Sequence, residues 1–77
     1  MNKARRKKIR EALELLQQAN EILAQVGDEE DEAFDNMPEA LQESERGEQM
    51  QEYIDAIDEA ISAIDDVKDN MEEIAEG

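Results

Sequence analysis

Between Met50 and Ile74 the apolar residues Met50, Ile54, Ile57, Ile61, Ile64, Val67, Met71 and Ile74 recur at steps of three and four. That spacing aligns them along one face of an α-helix, and the positions between them are mostly small or acidic. Such a helix gains most of its stability from packing its apolar face rather than from propensity. The rest of the chain must therefore supply the partner or govern how one is met.

The first part of the chain offers a matching stripe. From about residue 4 to residue 26, Ile9, Ala12, Leu13, Leu16, Ala19, Leu23 and Val26 follow the same rule, with Leu15 and Ile22 widening the band. Gly27 stands where a left-handed C-cap is expected to close the helix. The first stripe is rich in Leu and the second in Ile, and the two faces suit knobs-into-holes packing.

Residues 27–44 read as an irregular or briefly helical connection. Asp28 to Asp35 is acidic except for Ala33 and Phe34, and Asp28 is a candidate cap for a short helical piece. Met37 precedes the chain's only proline and is biased away from helical backbone. Asn36, Met37, Pro38 and Glu39 have the form of a capping box for another short turn through Leu41. Phe34, Met37 and Leu41 are expected to lie over Met50 and Tyr53. Ser44 caps the long helix, expected over residues 45–76.

Charge supports an antiparallel arrangement. Six of the eight basic residues (Lys3, Arg5, Arg6, Lys7, Lys8 and Arg10) fall in the first ten positions, while the far end carries Asp65, Asp66, Asp69, Glu72, Glu73 and Glu76. Each cluster opposes its own helix dipole. Side by side, they form cross-helix ion pairs worth about 0 to 1 kcal/mol each at the surface.

Composition narrows the chemistry. The chain has neither Cys nor His, so disulfides, thiolate or imidazole metal ligands and the usual nucleophile–base pairs are not expected. Asp28, Glu30, Glu32, Asn36 and Glu39 fall at calcium-loop spacing, but Ala33 occupies the position that needs Gly. No Glu-x-x-His element suggests a di-metal bundle. A non-enzymatic protein with no cofactor and no metal is expected. The chain lacks an apolar run of about 20 residues and an apolar signal-peptide core, which points to the cytoplasm.

The formal net charge is −15, and beyond the first ten residues only Arg46 and Lys68 are basic. Glu52, Asp55, Glu59, Asp66, Asp69 and Glu73, continued by Glu76, line the outer face of the long helix almost without relieving cations. A surface of this kind repels nucleic acid and anionic membrane and attracts basic protein.

The run AFDNMPEALQESERGEQM at Ala33 to Met50, with the acidic Ile/Ala heptads after it, resembles small acidic helical proteins of phages and prophages. The likeness covers about two thirds of the chain, and its specific part is DNMPEALQESERGE. It implies a compact phage-type product acting in a bacterial cytoplasm, where small acidic inhibitors such as anti-CRISPR proteins occur. No site residue is carried over from that group.

The expectation is a single all-α domain over residues 1–77: an antiparallel two-helix hairpin with a short helical connection, self-associating into a bundle. Met50, Ile54, Ile57, Ile61, Ile64, Val67 and Met71 form its core or self-association seam. The expected function is a binding module that inhibits or masks a basic protein surface, a nucleic-acid-binding groove being one candidate. The alternative is a structural protein whose role is homo-oligomerisation.

Overall fold

The computed structural model describes all residues, Met1 to Gly77, and contains three helices and no strand. The first, α1, runs from Lys3 to Asp35; α2 is the single turn Glu39–Gln42; α3 runs from Glu45 to Glu76. Helix α1 starts behind Asn2, whose Oδ1 accepts from the Arg5 N–H at 2.9 Å. That bond satisfies one of the donors left over at a helix N-terminus.

Helix α1 does not end at Gly27. It continues to Asp35, which makes it roughly 50 Å long instead of roughly 35 Å. Gly27 has no left-handed backbone and is buried. A Cβ built on it would lie 3.4 Å from Cγ2 of Ile57, so this glycine marks where α3 comes close. The acidic run beyond it contains Glu29, Glu30, Glu32 and Ala33, all good helix formers, and nothing in it breaks the helix.

The real end of α1 is dictated by Pro38. Asn36 caps the helix, its N–H donating to the Glu32 carbonyl at 3.0 Å, and the Met37 N–H donates to Phe34 at 3.1 Å. Asn36 thus closes α1, and α2 starts after Pro38 without a side-chain cap, so the expected capping box at Asn36–Glu39 does not form. Gln42 completes the corner: its Nε2 donates to the carbonyls of Phe34 and Met37 at 3.0 and 3.2 Å. Ser44 then caps α3, its Oγ accepting from the Gly47 N–H at 3.4 Å. A Cβ on Gly47 would fall 2.1 Å from the Gln42 carbonyl oxygen, which only glycine permits. Phe34, Met37 and Met50 are half-buried at this corner, while Leu41 and Tyr53 stay exposed, so the connection covers less of α3 than expected.

The two long helices pack along each other. Gly27 faces Ile57, Asn20 bonds to Ile61 and Asp65, Gln17 to Lys68, and Arg10 to Ala75, so numbers fall on α1 as they rise on α3. The inward residues follow heptads on both helices. On α1 they are Arg6, Leu13, Asn20, Gly27 and Phe34, interleaved with Ile9, Leu16, Leu23 and Glu30. On α3 they are Gly47, Ile54, Ile61, Lys68 and Ala75, interleaved with Met50, Ile57, Ile64 and Met71. A 3.5-residue repeat keeps such a seam facing its partner along its whole length.

Two expected members of the α3 stripe lie off this seam. Val67 and Ile74 are exposed, and their neighbours Lys68 and Ala75 turn inward. The heptad that brings in Ile54 and Ile61 next selects residues 68 and 75, one place beyond those two apolar side chains. The shape that results is long and thin, 58 by 14 by 12 Å between Cα atoms. Its radius of gyration is 17.3 Å, against about 11.5 Å for a compact chain of this length.

Candidate interaction surfaces

The two flanks of the helix pair differ. Every cross-helix hydrogen bond lies along one of them. Asn20 Nδ2 donates to Asp65 Oδ1 at 2.9 Å and reaches the Ile61 carbonyl at 3.4 Å. Lys68 donates to Gln17 Oε1 and lies 3.9 Å from Asp65. Arg10 donates to the Ala75 carbonyl at 3.1 Å.

The last of these contacts replaces the expected ion pairs between the helix ends. No carboxylate of the α3 C-terminus lies within 4 Å of a basic side chain of α1, and the Lys68–Asp65 contact is internal to α3. Arg10 instead meets a main-chain carbonyl in the last turn of α3. Carbonyls there have no helical donor and carry the negative end of the dipole, so a guanidinium satisfies both.

Asn20 was not singled out by periodicity, because it interrupts an apolar band with a polar residue. It is nonetheless among the most buried side chains, and its Oδ1 has no partner. The amide orientation is fixed by its surroundings, since both groups it faces are acceptors and only the NH2 can satisfy them.

The opposite flank is apolar. Ala12, Leu15, Ala19, Ile22 and Val26 lie along it on α1, and Tyr53, Ala56, Ala60, Ala63, Val67 and Ile74 on α3. A two-fold turn that superposes one opposed helix on the other keeps the front of the pair in front, so equivalent heptad positions share a flank. Leu15 is 65% exposed, Ile22 61%, Tyr53 53% and Val67 46%. By contrast, the seam residues Met50, Ile57, Ile61, Ile64 and Met71 are half-buried and Ile54 is buried, all against α1.

The outer face of α3 carries the carboxylates. Glu52, Glu59, Asp66 and Glu73 recur at steps of seven along the side facing away from the seam, with Asp55 and Asp69 beside them toward the polar flank. All six are exposed. The one concavity of the molecule is a shallow open groove at the start of this face, lined by Glu45, Arg46, Glu48, Gln49 and Glu52 and by no apolar residue. Small-molecule sites are mostly apolar and enclosed, and this groove is neither.

Nowhere do three carboxylates gather as a metal site would require. The calcium-like spacing of residues 28–39 falls largely on helix, which turns Glu30 to the seam and away from Asp28 and Glu32. No helix is long and apolar enough to cross a membrane. The chain matches no protein-family model, and neither a curated protein nor a solved structure is similar to it.

Proposed function

We propose that this chain is a non-catalytic acidic binding module, an antiparallel hairpin that presents the back of α3 to a basic protein surface. The observation that carries this reading is the exposure of Glu52, Asp55, Glu59, Asp66, Asp69 and Glu73 on one rigid helix, with no cation among them. Lys68 is turned into the seam, and Arg46 lies at the start of the face, in the groove shared with Glu52. An ordinary solvated helix interleaves both signs and gains a few tenths of a kcal/mol per pair, a gain this helix forgoes.

Carboxylates three or four residues apart on a helix lie about 5 to 6 Å from one another, comparable to the coarse charge spacing of a nucleic-acid strand. A Lys/Arg-rich groove built for nucleic acid is therefore the favoured partner class. We further propose that it acts as an inhibitor in a bacterial cytoplasm.

The test separates the face from the overall charge. Partners are captured from bacterial lysate at low salt, and two variants of equal net charge are compared with the native chain. Replacing Glu52, Asp55 and Glu59 by Lys is expected to abolish capture, whereas replacing Glu11, Glu14 and Glu21 of α1 by Lys leaves it. Equal losses in the two variants contradict a specific face.

A second reading, an assembly protein, is supported by the uncovered apolar flank. Of the expected core or self-association seam, Met50, Ile54, Ile57, Ile61, Ile64 and Met71 lie on the side of α3 that faces α1, and Val67 is exposed.

A further inference from the structure

We infer that the apolar flank takes a second copy of this chain, laid lengthwise so that α1 of each copy lies on α3 of the other in a four-helix bundle. This inference stands apart from the acidic-module reading, because the carboxylate face lies on the back and polar flank and stays outside such a bundle.

Area is the first argument. The chain exposes 5859 Å² for a mass of 8.8 kDa, whereas a compact monomer of that mass exposes about 4,800 Å². The surplus is of the order that one partner in a stable interface removes, about 800 Å². A face 58 by 14 Å offers a similar footprint. The interior is correspondingly thin: Ile54 and Ala75 are the only buried apolar residues, and no large side chain is fully buried. Covering the flank would add to a core that is thin by itself.

Shape argues for a copy of itself. On this flank α1 presents large side chains, Leu15, Ile22 and Val26, while α3 presents alanines, Ala56, Ala60 and Ala63, between Tyr53 and Val67. The Asn20–Ile61 and Gly27–Ile57 contacts put Ile22 about level with Ala60 and Ala63. With a two-fold axis parallel to the helices, Ile22 of each copy meets those alanines of the other, large against small in both directions. An isologous interface requires this self-complementarity.

Shape also selects the axis. A crosswise axis would lay α1 on α1 and α3 on α3, setting large side chains against large and alanines against alanines, and only the lengthwise axis pairs large with small throughout.

Sedimentation equilibrium of the full chain at moderate salt tests the inference. The expected species has twice the 8.8 kDa chain mass. Ile22→Glu and, separately, Ala60→Glu should each weaken association more than tenfold, while the Glu52, Asp55, Glu59 triple Lys variant, which tests the acidic face, stays dimeric. A native chain that remains monomeric to hundreds of micromolar overturns the proposal and leaves a different protein as the occupant; so does a dimer that survives both flank variants. A milder pair guards against loss of folding. The chain has no cysteine, so oxidising an equal mixture of Ile22→Cys and Ala63→Cys chains should yield mostly mixed disulfide dimers. Absence of mixed dimers overturns the α1-on-α3 arrangement.

Discussion

Two glycines and one asparagine carry much of the specificity of this fold. Gly27 and Gly47 look alike in the sequence and differ in what surrounds them. At Gly27 an added methyl reaches only ordinary contact with Ile57, in the middle of a helix where glycine costs up to about 1 kcal/mol relative to alanine. Gly27→Ala is therefore expected to raise the urea midpoint, through a gain in stability of several tenths to about 1 kcal/mol. At Gly47 the same methyl would overlap the Gln42 carbonyl, and Gly47→Ala should cost roughly 2 kcal/mol or more by forcing the corner apart. Destabilisation by Gly27→Ala would mean that Ile57 cannot yield to the added methyl. Asn20 allows an equally sharp comparison. Asn20→Asp preserves shape but removes both donors and turns a carboxylate toward Asp65 and the Ile61 carbonyl, a loss expected near 2 to 3 kcal/mol. Asn20→Leu removes a buried oxygen that has no partner and should be neutral or stabilising in the same urea titration.

At the scale of elements, the two stripes, the Ser44 start of α3 and the proline stop were legible in the sequence, because each rests on a local rule. What was not legible depended on the other helix. Glycine serves equally at a C-cap and at a close helix approach, and only the position of Ile57 decides between the two roles of Gly27. Val67 and Ile74 fit a 3.6-residue period as well as Lys68 and Ala75 fit a 3.5-residue one, and apolar character favoured the former pair. The seam chose the latter because its helices are paired over their length, with Gln17 and Asp65 receiving the Lys68 ammonium. The basic N-terminus was recognised as a partner for the α3 C-terminus, but its contact is to a carbonyl rather than to acids. Arg10→Ala should therefore fray the last turn of α3. Amide exchange at residues 73–77 is expected to accelerate a few-fold, equivalent to roughly 0.5 to 1 kcal/mol, with little change near Ile54.

For the whole molecule, four regions divide the labour: a heptad seam that joins the helices, a polar flank that fixes their register, an apolar flank left open, and the carboxylates of α3 at the back. The −15 charge and the unrelieved acidic face oppose compaction, so raising salt from low to about 0.5 M should increase the melting temperature as repulsion is screened. Binding of a basic partner should weaken over the same range, which separates folding from function in one series of solutions. The division between seam and apolar flank is tested most directly by far-ultraviolet circular dichroism of Ile54→Asp and Ile22→Asp in dilute solution at neutral pH. Ile54 is 6% exposed and Ile22 61%, so the first variant should lose most of its helical signal and the second should keep it. Equal helical signals in the two variants would contradict the seam described here.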